Sequence, residues 1–126
     1  MAEEALSGPH SGAEGETLAC RHLQDQGYRI LARNFRCRSG EIDVVAREGD
    51  VTVFVEVKDR QGRSHGEGHE SVTFGKRQRV VRAARLYAAS RGLSESPIRF
   101  DVVSIERDSA GDRIRHDRGA FDADGR

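Results

Sequence analysis

The sequence predicts an α/β domain in which helices flank a central β-sheet. Three observations predict it. A hairpin has apolar side chains at every second position, a segment with apolar residues at helical spacing lies on each side of that hairpin, and a further apolar strand follows the second of these segments. The expected order is helix, three antiparallel strands, helix and strand, which gives a mixed sheet. With 126 residues, the chain has room for one domain of ordinary size.

The central hairpin spans residues 40–60 and fixes the register of the predicted sheet. Its strands alternate apolar and polar side chains, which is the period of two that half-buried strands show. With Gly49 and Asp50 as a two-residue turn, Asp43 lies directly opposite Glu56. Because side chains alternate between faces, both carboxylates then project from the same face of the sheet.

The face that carries these two carboxylates has an unusual composition. By the same register Glu41 lies opposite Lys58, and Val45 lies opposite Phe54 on the same face. Directly opposed like charges are destabilising by about 0.2–1 kcal/mol, so the opposed carboxylates bring no structural benefit. They suit a hard divalent cation such as Mg²⁺, which is held by one or two carboxylates and completes its shell with water. A solvated hairpin face is the alternative, and the apolar pair on that face weakens it.

The first helix is predicted at residues 11–26, after a leader at residues 1–10 that we expect to be disordered. Glu16 lies on the apolar stripe of this helix, which should face the core. A buried carboxylate without a partner is costly. Glu16 therefore either extends past the end of the sheet or reaches the same cation as Asp43 and Glu56.

The first strand is predicted at residues 28–35, and a basic patch that includes Arg36 and Arg38 follows it. Arginine is geometrically well suited to phosphate, so this patch predicts contacts with a nucleic-acid backbone. A solvated turn is the other interpretation. Glu41 and Arg60 lie next to the carboxylate face and are further candidates for substrate contacts.

A loop and a second helix follow the hairpin. Residues 59–71 are rich in glycine and polar side chains, and they predict a flexible loop that becomes ordered on substrate. The second helix is expected at residues 73–91. Lys76 lies in its first turn on the inward stripe, so its ammonium group should point toward the sheet, close enough to contact a phosphate.

The C-terminal part of the chain predicts the remaining strands. A core strand is expected at residues 98–106 and an edge strand at residues 113–116, with Phe121 packing back onto the core. Residues 122–126 are expected to be disordered. The predicted domain therefore covers residues 11–121.

Lysine usage singles out two positions. The chain has 19 arginines and only two lysines, Lys58 and Lys76. Arginine stays protonated in proteins, whereas lysine carries a compact charge with an adjustable pKa. We therefore expect the ammonium group itself to matter at both positions, more strongly at Lys58, with chance as the alternative.

Composition restricts partners and location. The formal net charge is zero, so any nucleic-acid site must come from local charge asymmetry rather than from an overall positive field. Cys20 and Cys37 show no CxxC spacing and indicate a reduced, cytoplasmic protein. The sequence has neither a signal peptide nor a stretch approaching roughly 18 apolar residues, so no membrane association is expected.

An aspartate on one strand followed by Glu-x-Lys on the next resembles the active-site signature of the PD-(D/E)XK nuclease superfamily, which has the restriction-endonuclease-like fold. Ile42 stands where that signature has its proline, a position known to vary. The chain is more closely similar to the small bacterial YraN family of predicted nucleases. The matching positions extend over nearly the whole chain: Gly12, Gly15-Glu16, Gly27-Tyr28, Asn34, Gly40-Glu41-Ile42-Asp43, Phe54-Val55-Glu56-Val57-Lys58, Arg60, Lys76, Arg99-Phe100-Asp101 and Ala120-Phe121.

The resemblance implies a metal-dependent endonuclease that hydrolyses phosphodiester bonds of DNA. Asp43, Glu56 and the carbonyl of Val57 would hold Mg²⁺, with Mn²⁺ as the expected substitute, and the metal would stabilise charge on the phosphate. Lys58 would orient the attacking water and help to deprotonate it. Members of the superfamily often carry a helical glutamate beside the metal, which makes Glu16 a further candidate ligand.

Two questions about substrate and class stay open at this point. Branched or nicked DNA is a finer expectation that rests on similarity to junction-cutting enzymes of the same fold, and it would call for a homodimer. RNA stays open as a substrate, because nothing in the sequence reads a 2′-hydroxyl. The alternative from another class is a non-catalytic nucleic-acid-binding or scaffold module that retains the nuclease fold.

Overall fold

The computed structural model describes residues 11–61 and 73–126. Within these residues it contains two helices and five strands. In chain order they are α1 (Ser11–Asp25), β1 (Arg29–Cys37), β2 (Gly40–Glu48), β3 (Val51–Gln61), α2 (Phe74–Ser90), β4 (Ile98–Asp108) and β5 (Gly111–Phe121). Neither helix has the length and apolar composition that crossing a membrane would need.

The strands form one mixed sheet in which spatial order follows chain order. Strands β1, β2 and β3 form an antiparallel meander, β4 lies parallel to β3 after the α2 crossover, and β5 pairs antiparallel with β4 at the edge. The α/β prediction is therefore confirmed. Two helices and a five-stranded mixed sheet are compatible with a restriction-endonuclease-like core.

The register of the β2–β3 hairpin is the one that a two-residue turn predicts. Glu48 pairs with Val51 at the turn, and the ladder continues to the pair of Val44 and Val55. It ends there, so the two pairs predicted beyond it, Asp43 opposite Glu56 and Glu41 opposite Lys58, are not part of the ladder. The strands stop pairing at the point where the acidic side chains begin.

Each face of the sheet packs against one helix. On one face, Ala19 and Leu23 of α1 pack against strand residues that include Val53 and Val103, all of them fully buried. On the other face, side chains of α2 pack against the residues Val45, Phe54, Phe100 and Phe121. The predicted return of Phe121 to the core is confirmed, since its ring stacks on Phe100 with centroids 5.0 Å apart.

Several element boundaries differ from the predicted ones. Strand β3 continues through Gln61, so residues 59–61 are strand rather than the beginning of a loop. Strand β5 runs over Gly111–Phe121 and is much longer than the predicted edge strand at residues 113–116. The rest of the predicted loop and the predicted leader lie outside the residues that the structure describes.

The prediction of disorder for residues 122–126 does not hold. These residues lie along α2, and side chains of that helix donate hydrogen bonds to their backbone carbonyl groups. The bonds run from Arg85 Nη2 to Ala123 at 3.3 Å, from Gln78 Nε2 to Asp124 at 2.8 Å and from Arg77 Nη1 to Gly125 at 3.3 Å. A sequence rule for frayed termini misses these contacts because they depend on another element.

A buried acidic residue on β4 joins distant parts of the fold. The Asp101 side chain is fully buried and accepts hydrogen bonds from Arg99 Nε at 2.8 Å and from the Gly119 backbone N–H at 3.0 Å. His116 Nε2 lies 2.8 Å from its other oxygen. Burial alone would raise the pKa of Asp101, but these hydrogen bonds outweigh burial and hold the pKa well below its usual range. Arg99 also contacts Glu48, which links β4 to the hairpin.

The first prediction concerns this buried cluster. Asp101→Ala should lower the free energy of unfolding by about 3–5 kcal/mol, because it leaves the buried donors without their shared acceptor. Asp117→Ala is the matched control, since Asp117 pairs with Arg115 at the surface and should cost under about 1 kcal/mol. Urea denaturation at neutral pH measures both. Equal losses for the two variants would show that the cluster does not stabilise the fold.

Candidate active site

The centre of the candidate site is the pair of carboxylates on β2 and β3. Glu56 is 3% exposed, and Asp43 is half-buried. The Asp43 Oδ2 atom accepts a hydrogen bond from the Val57 backbone N–H at 2.8 Å, in place of the ladder bond that continued pairing would have made. The backbone of β3 therefore fixes the orientation of the Asp43 carboxylate next to Glu56.

The strict alternation of β2 breaks at Asp43. Ile42 packs on the α2 side of the sheet, whereas Val44, two residues later, packs on the α1 side. The β1–β2 register places Asn34 beside Asp43, and Asn34 has a φ of 55°. Asparagine tolerates this left-handed conformation better than most residues. The local twist leaves Asp43 within reach of side chains from both helices.

Helix α2 brings a lysine to the carboxylate pair. Lys76 Nζ lies 2.7 Å from Glu56 Oε2. Thr73 caps the helix, its side-chain oxygen accepting from the Lys76 backbone N–H at 3.2 Å, so Lys76 lies in the first turn. Its side chain points toward the sheet as predicted, and in this structure its partner is Glu56.

Helix α1 brings a third carboxylate. Glu16 is largely buried, its Oε1 atom accepts a hydrogen bond from Asn34 Nδ2 at 2.8 Å, and Arg33 lies 3.6 Å away. Burial and then the charge of Asp43 raise the pKa of Glu16. The structure places Glu16 near Asp43, and its contact with a cation shared by Asp43 and Glu56 stays a prediction.

The electrostatics of these acids follow from their burial. Burial, and next the charge of Asp43, raise the pKa of Glu56 to about 7. Burial also raises the pKa of Asp43, against the hydrogen bond from Val57. For Lys76, burial would lower the pKa, but its contact with Glu56 raises it. Glu56 and Asp43 share the charge of one ammonium group, and Glu16 adds a third acid with a raised pKa beside Asp43, so the site favours additional positive charge.

The oxygen ligands at this site fit a magnesium ion held by two carboxylates rather than by three. In the described parts of the chain, no group of three His, Cys, Asp or Glu side chains is arranged to hold a metal. Asp43 and Glu56 form a pair instead, and Mg²⁺ is usually bound by one or two carboxylates with water and phosphate oxygens completing the shell. The residues present are therefore sufficient for that ion.

The other predicted site residues fall into two groups. Arg36, Arg38, Glu41 and Lys76 line one depression of about 500 Å³ between the β1–β2 turn and α2. At its edge a Cβ atom on Gly40 would collide with the backbone carbonyl of Arg79, so the turn and the helix approach closely there.

The second group lies farther along β3. Lys58 and Arg60 line another cavity, of about 450 Å³, that extends across β4 and β5. The structure thus brings Asp43, Glu56 and Glu16 together with Lys76. Lys58 is half-buried beside them on the same strand.

One residue of the site was missed by reasoning from pattern alone. Asn34 donates to Glu16 and carries the positive φ next to Asp43. Its position in a predicted strand gave no sign of either role. The signal that marks it is the resemblance, in which Asn34 is one of the matching positions.

Comparison with known proteins identifies relatives that all belong to one family. A model of the uncharacterised protein family UPF0102 matches residues 15–105. A UPF0102 protein of Parafrankia sp. (strain EAN1pec) is 49% identical over 111 residues, covering 87% of this chain and 94% of the relative. A UPF0102 protein of Symbiobacterium thermophilum is 50% identical over 113 residues, covering 89% and 96%. One from Nocardia farcinica is 53% identical over 94 residues, covering 75% and 74%.

The second prediction follows from the raised pKa of Glu56. Between about pH 4.5 and about 7 the folded protein keeps a proton on Glu56 that the unfolded chain releases, so this residue makes stability fall as pH rises through that window. Glu56→Gln removes the effect. In EDTA the variant should match wild type near pH 5 and exceed it by about 1–3 kcal/mol near pH 8.

The control is Glu106→Gln, the same chemical change at a more exposed glutamate on β4. It should shift stability by less than about 0.5 kcal/mol at either pH. Chemical denaturation of the three proteins at both pH values measures the difference. A Glu56→Gln variant that is less stable than wild type near pH 8 would show that the Lys76 pair outweighs the cost of burying the acid.

Proposed function

The chain belongs to the uncharacterised protein family UPF0102, and we propose that it is a metal-dependent endonuclease that hydrolyses phosphodiester bonds of DNA. Its similarity to the YraN proteins, which belong to this family, is thereby confirmed. The observation that carries the proposal is the pair of half-buried Asp43 and buried Glu56, held where β2 and β3 stop pairing. A structural role alone gives no reason to bury two adjacent acids with raised pKa values.

The metal would be Mg²⁺, with Mn²⁺ as its substitute, held by Asp43, Glu56 and the carbonyl of Val57. When bound, it would neutralise phosphate charge and lower the pKa of a bound water. The protein supplies the geometry: the Val57 N–H keeps the Asp43 carboxylate oriented, and Glu16 adds negative charge beside it. In this proposal Glu16 contacts the ion directly or through water.

The two lysines have different roles in the proposal. Lys58 follows Glu56 by two residues and would orient the attacking water and accept its proton in neutral form. Lys76 neutralises Glu56 in the absence of substrate, and its half-exposed ammonium group can turn to a phosphate oxygen when DNA arrives. Both groups belong to residues that are rare in this arginine-rich chain.

Basic surfaces on two sides of the carboxylates support a nucleic-acid substrate. Arg36, Arg38 and Arg79 line the depression that reaches Lys76. The other cavity begins at Lys58 and contains further arginines. Phosphate groups on both sides of a cleaved bond would meet these side chains. We further propose that the substrate is branched or nicked DNA, with RNA as the alternative. The protein would act as a homodimer in the cytoplasm.

A second candidate function is a non-catalytic nucleic-acid-binding or scaffold module. The observation in its favour is the ion pair between Lys76 and Glu56, which gives the buried carboxylate a cation without any metal. A module of this kind would bind DNA through the same basic surfaces but would gain no stability from Mg²⁺ or Mn²⁺.

The third prediction tests the proposal through Asp43→Asn. Wild type should cut at least one of linear, nicked, flapped and four-way DNA with Mg²⁺ or Mn²⁺, and none in EDTA, whereas the variant should cut none. In EDTA the variant should be at least as stable as wild type, because its amide oxygen can still accept from Val57 while the repulsion is lost. Saturating Mn²⁺, at about a hundred times its dissociation constant, should stabilise wild type alone by about 2.7 kcal/mol.

The same cleavage assays include an RNA substrate and, as a negative control, heat-treated protein. Thermal melts with EDTA and with Mn²⁺ separate the two candidate functions. If wild type cuts no substrate and Mn²⁺ stabilises neither protein, the result contradicts the nuclease and supports the non-catalytic module.

The fourth prediction concerns Lys58. Lys58→Arg keeps the charge but removes the compact, titratable ammonium group, so cleavage should fall more than about tenfold, a barrier change above about 1.4 kcal/mol. The control is Arg113→Lys, an exposed position on β5 that lines neither depression. Single-turnover rates of the three proteins measure the effect. A Lys58→Arg rate close to wild type would mean that only the positive charge matters there.

A further inference from the structure

We propose that the cavity over β3, β4 and β5 binds one unpaired nucleotide of the DNA strand that is cut, so that the protein favours DNA with a single-stranded flap over plain duplex. The inference rests on the proposed function for the identity of the nucleic acid. It concerns a different surface from the carboxylate pair and can fail independently.

The cavity exists because α2 does not cover the whole of its face of the sheet. The helix packs mainly over β1 and β2. Beyond β3, among the residues that the structure describes, the same face carries a cavity of about 450 Å³. Pockets that bind small ligands have volumes of about 300–1,000 Å³, so the cavity is large enough for one nucleotide unit and too small for a paired duplex.

The pairing register places the cavity directly beside the proposed catalytic residues. Glu56 pairs with Val102 of β4, and Lys58 pairs with Ser104. Ser104 pairs in turn with Arg115 of β5. Neighbouring strands are about 4.8 Å apart. A ligand resting on Val102 and Ser104 therefore lies one strand away from the carboxylate and the lysine that would act on the phosphodiester.

The lining combines positive charge with an apolar wall. Four basic side chains contribute to it, and Val102, Ala120 and Phe121 form the apolar part. The basic residues are Lys58, Arg60, Arg77 and Arg115, against two carboxylates, Glu106 and Asp117. Cations suit the phosphate of a nucleotide, and the apolar wall suits its base and sugar.

One of the basic side chains is held in place beside the apolar wall. Arg77 lies beside the Phe121 ring, its guanidinium carbon 5.5 Å from the ring centroid, and its Nη1 donates to the Gly125 carbonyl. Arg77 contributes to the cavity lining as well, so its guanidinium group offers a phosphate a positive charge at a defined position.

An unpaired nucleotide fits this site better than a base from intact duplex. A paired base must be unstacked and unpaired before it can enter a pocket, and that cost is least when the base is already single-stranded. Plain duplex would contact only the rim of the cavity through its phosphates. Flapped DNA would place a nucleotide inside it, which predicts tighter binding.

The test measures binding in EDTA, so it does not depend on cleavage. Fluorescence anisotropy compares a labelled duplex with the same duplex carrying a short single-stranded flap. Wild type should bind the flapped DNA about tenfold more tightly, a difference of about 1.4 kcal/mol. Arg115→Ala, on the cavity lining, should lose most of this preference, and Ala120→Trp should lose it by filling the cavity.

The matched control is Arg113→Ala, which removes the same charge from the same strand outside the cavity lining. It should weaken both DNAs by the same factor. Circular dichroism confirms that each variant is folded, and Arg115→Ala removes a mostly exposed side chain, so it tests the site even if Ala120→Trp does not fold. Equal effects of Arg113→Ala and Arg115→Ala on the two DNAs would overturn the inference, as would a wild-type protein that binds neither DNA or both equally.

The two proposals can be separated by their outcomes. A protein that prefers flapped DNA through Arg115 but cuts nothing supports the cavity and contradicts the nuclease. A protein that cuts DNA with Mg²⁺ but shows no preference for a flap supports the nuclease and contradicts the cavity.

Discussion

The whole site depends on the register that the two-residue turn imposes on the β2–β3 hairpin. Gly49 takes a φ of +62°, which a side chain would disfavour, and this allows Glu48 and Val51 to pair directly across the turn. A shift of one residue would move Glu56 to the other face, into the cluster around Val53. The position of the carboxylate pair is thus set by a turn at the opposite end of the hairpin.

The helices then give the carboxylate pair opposite charges from its two sides. Glu16 of α1 adds a third acid, and Lys76 of α2 adds the ammonium group that touches Glu56. Burying acids beside one another opposes folding, and the well-packed aromatic contacts around Phe54 compensate for it. Adjacent buried acids that oppose folding, in a chain whose other local patterns agree with the fold, are typical of a functional site.

Local periodicity was enough to predict the hairpin register from the turn as far as Val44 and Val55, both helices and the inward direction of Lys76, because each depends on residues close together in the chain. The features that were missed depend on distant partners. The break in alternation at Asp43 involves Asn34 on the next strand. The order of residues 122–126 comes from donors on α2. The buried Asp101 can be understood only with Arg99 and His116 beside it.

The zero net charge of the chain is consistent with a nucleic-acid site once the charges are placed in space. The acids lie at the centre, and arginines line the depressions on both sides. A DNA backbone drawn toward the arginines would bring a phosphate against Asp43 and Glu56, which repel it. Lys76 offers one positive charge to Glu56 and Asp43, and Glu16 adds a further acid beside Asp43. Once these acids are ionised, the remaining negative charge requires a further cation before a phosphate can approach, and this is the physical reason to expect a divalent metal in the proposed reaction.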